Sequence, residues 1–150
     1  MRATYRVLGY LIAIEVVIQA AAIAYANFGT TKFVEDGGTI DKAMIESDEM
    51  AFDEIVGFIV HGINGTAVIP LLAIIMLIVS FFAKVPQGVV LALVVVLVVA
   101  LQVALGIYAH ELPFLGLVHG VNAFILAGVA SAAAARASKA PGDVPAPATV

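Results

Sequence analysis

VPQGVVLALVVVLVVALQVALGIYA, residues 85–109, contains no charged side chain. The run exceeds the ~20 residues that an α-helix needs to cross the ~30 Å hydrocarbon core of a bilayer. Three further runs of sufficient length, each with at most one charged residue, lie at 7–28, 55–83 and 112–135. The sequence therefore predicts four transmembrane segments.

The composition supports a membrane protein. Of the 150 residues, 63% are hydrophobic and only 12% are charged, whereas about 25% of the residues of a soluble domain are charged. The apolar runs are continuous and lack the two-residue alternation of a β-barrel, so we predict an all-α, four-helix polytopic bundle. The absence of cysteine excludes disulfides, thiolate metal sites and a cysteine nucleophile. No basic cluster supports nucleic acid binding.

Charge placement predicts the orientation in the membrane. Basic residues flank the runs on one side, and most acidic residues lie in the loop 29–54 on the other side. By the positive-inside rule, both termini are predicted to be cytoplasmic in a plasma-membrane protein, with the acidic loop outside. The tail 140–150, rich in proline and small residues, is predicted to be disordered. The basic residues used here are Arg2, Arg6, Lys84, Arg136 and Lys139.

An internal repeat divides the chain into two tandem helical hairpins. Residues 60–64 read VHGIN and residues 118–122 read VHGVN, while 19–26 and 102–109 share the pattern Q-x-A-x-x-x-Y-A. A repeat of two helices keeps its orientation in the membrane, so the hairpins are predicted to be related by an axis along the membrane normal.

The repeat places four polar side chains in one layer of the bilayer. His61 and His119 lie at matching distances from the predicted outer helix ends, and Gln19 and Gln102 lie at nearly the same depth on the other two helices. A histidine within a membrane is costly and indicates a functional site. Paired imidazoles between apolar helices, with no thiolate, are typical of a b-type haem with two axial histidines. We therefore predict haem b, with His61 and His119 as its iron ligands.

The neighbours of the histidines extend the predicted site. Gly62 and Gly120 are expected to give clearance to a flat macrocycle, and Asn64 and Asn122 to orient the imidazoles or to bond the polar edge of the macrocycle. Packing and interhelical hydrogen bonds are the alternative roles for such residues. The same clearance is expected of the glycines one turn away, Gly57, Gly65 and Gly116.

Three other residues have alternative interpretations. His110 is either a solvated loop residue or a residue at the outer edge of the cofactor, in contact with a propionate or exchanging protons. Glu15, the only carboxylate within a span, is predicted to be protonated or hydrogen-bonded to a neighbouring helix, with a proton relay as the alternative. Pro70 is predicted to kink the second span.

The last two spans carry a family resemblance. LQVALG at 101–106, the turn with Leu112-Pro113, and VHGVNAF at 118–124 resemble one four-helix half of the haem A synthase family. The resemblance implies that His61 and His119 are axial haem ligands. The family's second helix carries a glutamate shortly before its histidine, where this chain has Gly57 and Phe58, and this chain has half the family's helices. We therefore interpret the chain as a haem-binding bundle rather than a synthase.

Two functions from different classes follow. The first is a membrane b-type cytochrome that transfers electrons between a quinol or a respiratory-chain protein and an acceptor near the outer face. The second is a non-catalytic subunit or scaffold of a larger respiratory or transport complex, without haem, in which the polar layer only joins helices. Either protein would contact the lipid bilayer and is compatible with homo- or hetero-oligomers. A bare transition metal bound by His61, His119 and Glu15 is a weaker third hypothesis, because Glu15 lies about one turn too deep.

Overall fold

The computed structural model of the protein describes residues 1–47 and 49–139, and the predicted disordered tail lies outside them. Within these residues the fold is all-helical and has no β-strand. Four helices are long and apolar enough to cross a membrane, which confirms the predicted fold class. These spanning helices, first to fourth, are Arg2–Glu35, Asp53–Ala83, Gly88–Tyr108 and Phe114–Ser138.

The spanning helices form an up-and-down bundle of two tandem hairpins. The first and third helices each pack against both the second and the fourth, so the second and fourth helices lie diagonally across the bundle. The Tyr5 hydroxyl donates a hydrogen bond to the Gly88 carbonyl over 2.9 Å, and Arg136 bonds Gln87. These contacts join the end of the bundle that carries the basic residues, which we call the basic end. The opposite end, with the acidic loop and the turn at 109–113, is the acidic end.

The tightly packed core lies in the half of the bundle nearer the basic end. A Cβ atom added to Gly9 would lie 2.8 Å from the carbonyl oxygen of Ala130, so only glycine allows the first and fourth helices to approach this closely. The largest fully buried side chains all belong to this half: Tyr5, Ile12, Met76, Val95 and Leu126. The polar layer is therefore placed in the less tightly filled half.

The second spanning helix is irregular where the sequence predicts a kink. It consists of a 3₁₀ turn (Asp53–Ile55), an α-helix (Val56–Ile63), a π-helical segment (Asn64–Val68) and a second α-helix (Ile69–Ala83). Pro70 has no N–H to donate to the carbonyl of Thr66, and the π segment ends two residues before it. Single π turns within α-helices are frequent at functional sites.

The first spanning helix continues to Glu35, beyond position 28, where its apolar run ends. The hydroxyls of Thr30 and Thr31 bond carbonyls of the preceding turn, and Lys32 pairs with Asp36 over 2.6 Å. Local bonds of this kind support a helix after it has left the apolar layer, so the acidic loop is shorter than the sequence predicts. A short helix, Lys42–Ile45, lies within this loop.

Candidate cofactor site

A cavity of about 520 Å³ lies among the four spanning helices in the half nearer the acidic end. Its volume is in the range of small-molecule and cofactor sites, roughly 300–1,000 Å³. Most of its lining is apolar or small, and its polar side chains in the predicted layer are Gln19, His61, Gln102 and His119. The structure thus brings the four predicted polar residues to one cavity, with one residue from each helix.

The two histidines approach each other across this cavity. The ring centroids of His61 and His119 are 6.1 Å apart, and the ring planes are tilted by 57°, so the rings do not stack on each other. For imidazoles on opposite sides of one metal ion, a metal–nitrogen bond of about 2 Å plus about 1 Å to each ring centre separates the centroids by about 6 Å. The observed centroid separation agrees with this distance, while Nε2 of His119 lies 3.1 Å from the Gln102 amide nitrogen in this structure.

Each imidazole is anchored in the same way within its own hairpin. Nδ1 of His61 lies 3.2 Å from the carbonyl oxygen of Gln19, and Nδ1 of His119 lies 3.0 Å from that of Gln102. A carbonyl oxygen only accepts hydrogen bonds, so Nδ1 carries the proton in both rings and Nε2 of each neutral ring carries the lone pair. In this tautomer Nε2 has the lone pair that a metal ion would need, and a carbonyl that accepts from Nδ1–H commonly fixes it.

The second hairpin adds a side-chain network around its histidine. The Gln102 amide nitrogen donates to Nε2 of His119 over 3.1 Å, and the Gln102 side-chain oxygen accepts from Asn122 over 2.7 Å. The same Asn122 nitrogen also donates to the carbonyl of Val98. Asn122 therefore acts on the imidazole through Gln102, and it is not among the residues that line the cavity.

In the first hairpin the corresponding glutamine lacks such a network. The side chain of Gln19 is buried, and its amide nitrogen has no hydrogen-bond partner within the described residues. A buried donor without a partner costs about 1–3 kcal/mol. Gln19 lines the cavity beside His61, but this nitrogen is itself buried and has almost no accessible surface.

Asn64 bonds the neighbouring helix rather than the cavity. Its side-chain nitrogen donates to the carboxylate of Glu15 over 2.5 Å, and neither residue lines the cavity. The prediction that Glu15 hydrogen-bonds a neighbouring helix is confirmed. Since Glu15 already has a partner away from the cavity, the geometry gives no support to a metal site that includes it.

The glycines near the histidines have different surroundings. Gly62, Gly65 and Gly116 line the cavity, as expected of residues that give clearance. Gly57 instead packs so closely on the first spanning helix that an added Cβ would overlap the carbonyl of Ala22. Gly120 lies on the exposed surface, is not part of the lining, and has no atom within 4 Å of an added Cβ. The clearance expected at Gly57 and Gly120 is therefore not observed.

Gly106 is a site residue that the sequence reasoning missed. A Cβ atom added there would lie 3.1 Å from Cε1 of His119, so the absence of a side chain gives the imidazole room beside the third spanning helix. Its position one turn after Gln102, on the same helical face, is the signal that identifies it.

The cavity opens sideways between the second and third spanning helices. The segment 56–68 packs mainly on the first helix, and the second helix contacts the third mainly through its half nearer the basic end. Most of the exposed lining residues border this gap: Phe58, Gly62 and Thr66 on the second helix, Ile107 on the third, and His110 in the turn that follows it; the remaining exposed lining residue is Gly116, near the start of the fourth helix. We call this gap the lateral opening. It faces the apolar exterior that would contact lipid.

The protein's donor set suits a haem better than a bare metal ion. Within the described residues there is no group of three or more histidine, cysteine or acidic side chains able to hold a metal. Two imidazoles would leave a bare ion without most of its ligands, whereas a haem brings its equatorial nitrogens and requires only the axial pair.

The chain has no match among protein-family models, curated proteins or solved structures.

Proposed function

We propose that the protein is a membrane b-type haem-binding protein that transfers electrons, with His61 and His119 as axial ligands. The observation that carries the proposal is the repeat-related pair of imidazoles, 6.1 Å apart and each bonded through Nδ1 to a backbone carbonyl. Interhelical packing alone would not require two repeat-related imidazoles, each with the same backbone anchor, to line one cavity.

The chain's own residues would support a haem in two ways. The two carbonyl contacts would hold the imidazoles in a fixed orientation. The apolar lining would exclude water from the group. When bound, a haem supplies a one-electron redox couple. With two histidines as axial ligands, electron transfer is favoured over bond-making chemistry.

The site lies near one face of the membrane. His61 and His119 lie within about three helical turns of the starts of their helices at the acidic end, which is roughly 8–12 Å along the helix axis. By the positive-inside rule we assign the acidic end to the outside of a plasma membrane and both termini to the cytoplasm. An electron donor or acceptor at the outer face, such as a quinol or a respiratory-chain protein, would then be close to the site.

An absorption spectrum of the detergent-purified full chain, produced in haem-replete cells, tests the proposal. We expect a Soret band that shifts on reduction with dithionite, the α and β bands of a low-spin b-type haem, and about one haem per chain. Protein that is colourless and fails to bind added haemin would overturn the proposal, and would favour the alternative of a scaffold subunit without haem.

A further inference from the structure

The lateral opening has a polar residue at its acidic end. His110 lies in the turn that follows the third spanning helix, is exposed, and lines the cavity. The rest of the lining at the opening is apolar except for Thr66, whose hydroxyl donates to its own helix at the Gly62 carbonyl. Within residues 1–47 and 49–139, the imidazole of His110 makes no hydrogen bond, so its N–H is available.

Other basic side chains near this end of the bundle are already paired. Lys32 bonds Asp36 over 2.6 Å, and Lys42 lies 3.5 Å from Glu46. Neither lysine lines the cavity. Of these three side chains at the acidic end, His110 is the one placed to meet an anionic group of a ligand.

The repeat shows that this feature belongs to the second hairpin only. The position of His110 corresponds to Asn27 at the end of the first hairpin's QxAxxxYA pattern. The Asn27 side chain donates to the Ile23 carbonyl of its own helix over 2.8 Å and does not line the cavity. The imidazole of His110 therefore lies at the gap between the second and third helices, where the cavity opens. It has no equivalent at the gap between the fourth and first helices, where the cavity is closed.

We propose that His110 binds a carboxylate on the edge of the cavity's ligand and thereby turns that edge toward the acidic end. This inference rests on the proposed function, because the planar amphiphile that fits between the histidines is a haem with two propionate carboxylates. The N–H of an imidazole donates to a carboxylate in either protonation state of the ring. His110 follows Gln102 by eight residues, about 12 Å along the helix, so it lies above the polar layer, toward the solvent.

The test compares haemin with its dimethyl ester, which lacks the carboxylates. Both are titrated into the full-length, haem-free protein in detergent, as wild type and as His110→Ala, and the dissociation constants are measured by absorbance. We expect wild type to prefer haemin over the ester by about five- to tenfold, the size of one charge-assisted hydrogen bond reduced by its exposure. His110→Ala is expected to lose this preference by weakening haemin alone, and His110→Lys to retain it.

Glu111→Ala is the matched control, since Glu111 is the exposed neighbour in the same turn and does not line the cavity. An unchanged preference in His110→Ala, or an equal loss of affinity for both porphyrins, would overturn the role of His110. The low-spin spectrum would persist in either case, so the proposed function would stand. Failure of wild type to bind either porphyrin would overturn both.

Discussion

Gln19 and Gln102 occupy equivalent positions in the two hairpins, but only the Gln102 side chain is bonded on both of its polar atoms. Gln102 donates to His119 and accepts from Asn122, whereas the amide nitrogen of the buried Gln19 has no partner within the described residues. The two histidines are therefore held unequally: His119 by a network, and His61 by one backbone carbonyl. Beside His61, the amide nitrogen of Gln19 therefore remains a donor that makes no hydrogen bond within the described residues.

This inequality predicts opposite effects of the two glutamine-to-leucine changes on the haem-free protein. Gln102→Leu removes two hydrogen bonds and should lower the free energy of unfolding by about 1–2 kcal/mol, the usual size for interhelical polar contacts in membranes. Gln19→Leu removes an unsatisfied donor and should leave the stability unchanged or raise it. Unfolding in mixed micelles, followed by circular dichroism, measures both. Greater destabilisation by Gln19→Leu would contradict the assignment.

Removing either axial ligand should abolish the low-spin spectrum. His61→Ala and His119→Ala each remove one imidazole of the repeat-related pair, whereas His110→Ala leaves that pair intact. We expect the first two variants to lose bis-histidine haem binding at micromolar haemin, and the third to retain the wild-type band positions even if its affinity falls. A wild-type low-spin spectrum in either of the first two variants would remove the axial assignment.

Much of this arrangement is predictable from sequence because two constraints act along the chain. Charge-free runs longer than the hydrocarbon core predict the four helices, and the repeat together with the rise per residue predicts that His61 and His119 share a layer. Neither constraint specifies the rotation of each helix about its own axis or the distance between neighbouring helices. The repeat gives Gly62 and Gly120 equal positions, but the cavity opens between the second and third helices and not between the fourth and first.

The hydrogen-bond partners within the site were less predictable for a related reason. The sequence places Asn64 and Asn122 one turn from the histidines, but the helix rotation turns both away from the cavity. Asn64 also begins the π segment, which changes the angular position of every residue after it. The sequence predicts a kink at Pro70, but it does not predict the angle by which the kink rotates the side chains of the following turn.

The contact between Asn64 and Glu15 should appear as a coupling between the first and second helices. Asn64→Leu and Glu15→Leu each leave the partner's polar group without its bond, and the double variant removes both groups. The double-mutant cycle should therefore give a coupling free energy of about 0.6–1.7 kcal/mol in favour of the pair. Unfolding in micelles measures it, with Thr66→Val as a control elsewhere in the π segment. Additive effects would show that the contact contributes nothing.

The orientation in the membrane can be tested independently of any cofactor. Glu46 lies in the acidic loop, and Lys139 follows the fourth spanning helix at the basic end. Fusions after Glu46 should be active with a reporter that works outside the cell and inactive with a cytoplasmic one, and fusions after Lys139 should show the reverse. Both sites on the same side would contradict the four-span topology, and a complete reversal would place the cavity near the cytoplasmic face.

The repeat supplies a matched pair of variants for the lateral opening. Gly62 and Gly120 each follow a histidine, each is exposed, and an added Cβ meets no atom within 4 Å at either position. Leucine should therefore be tolerated at both without disturbing the fold. Only Gly62 lines the cavity, so Gly62→Leu places a branched side chain in the opening, where it reduces the space for a macrocycle.

We expect Gly62→Leu to lower haem occupancy at least threefold, with expression and thermal stability of the haem-free protein unchanged, and Gly120→Leu to keep wild-type occupancy. Occupancy is measured as haem per chain after purification and by titration with haemin. If both leucine variants bound haem equally well, the ligand would not reach the lateral opening. An equal loss in both would mean that the effect comes from the helices and not from the cavity.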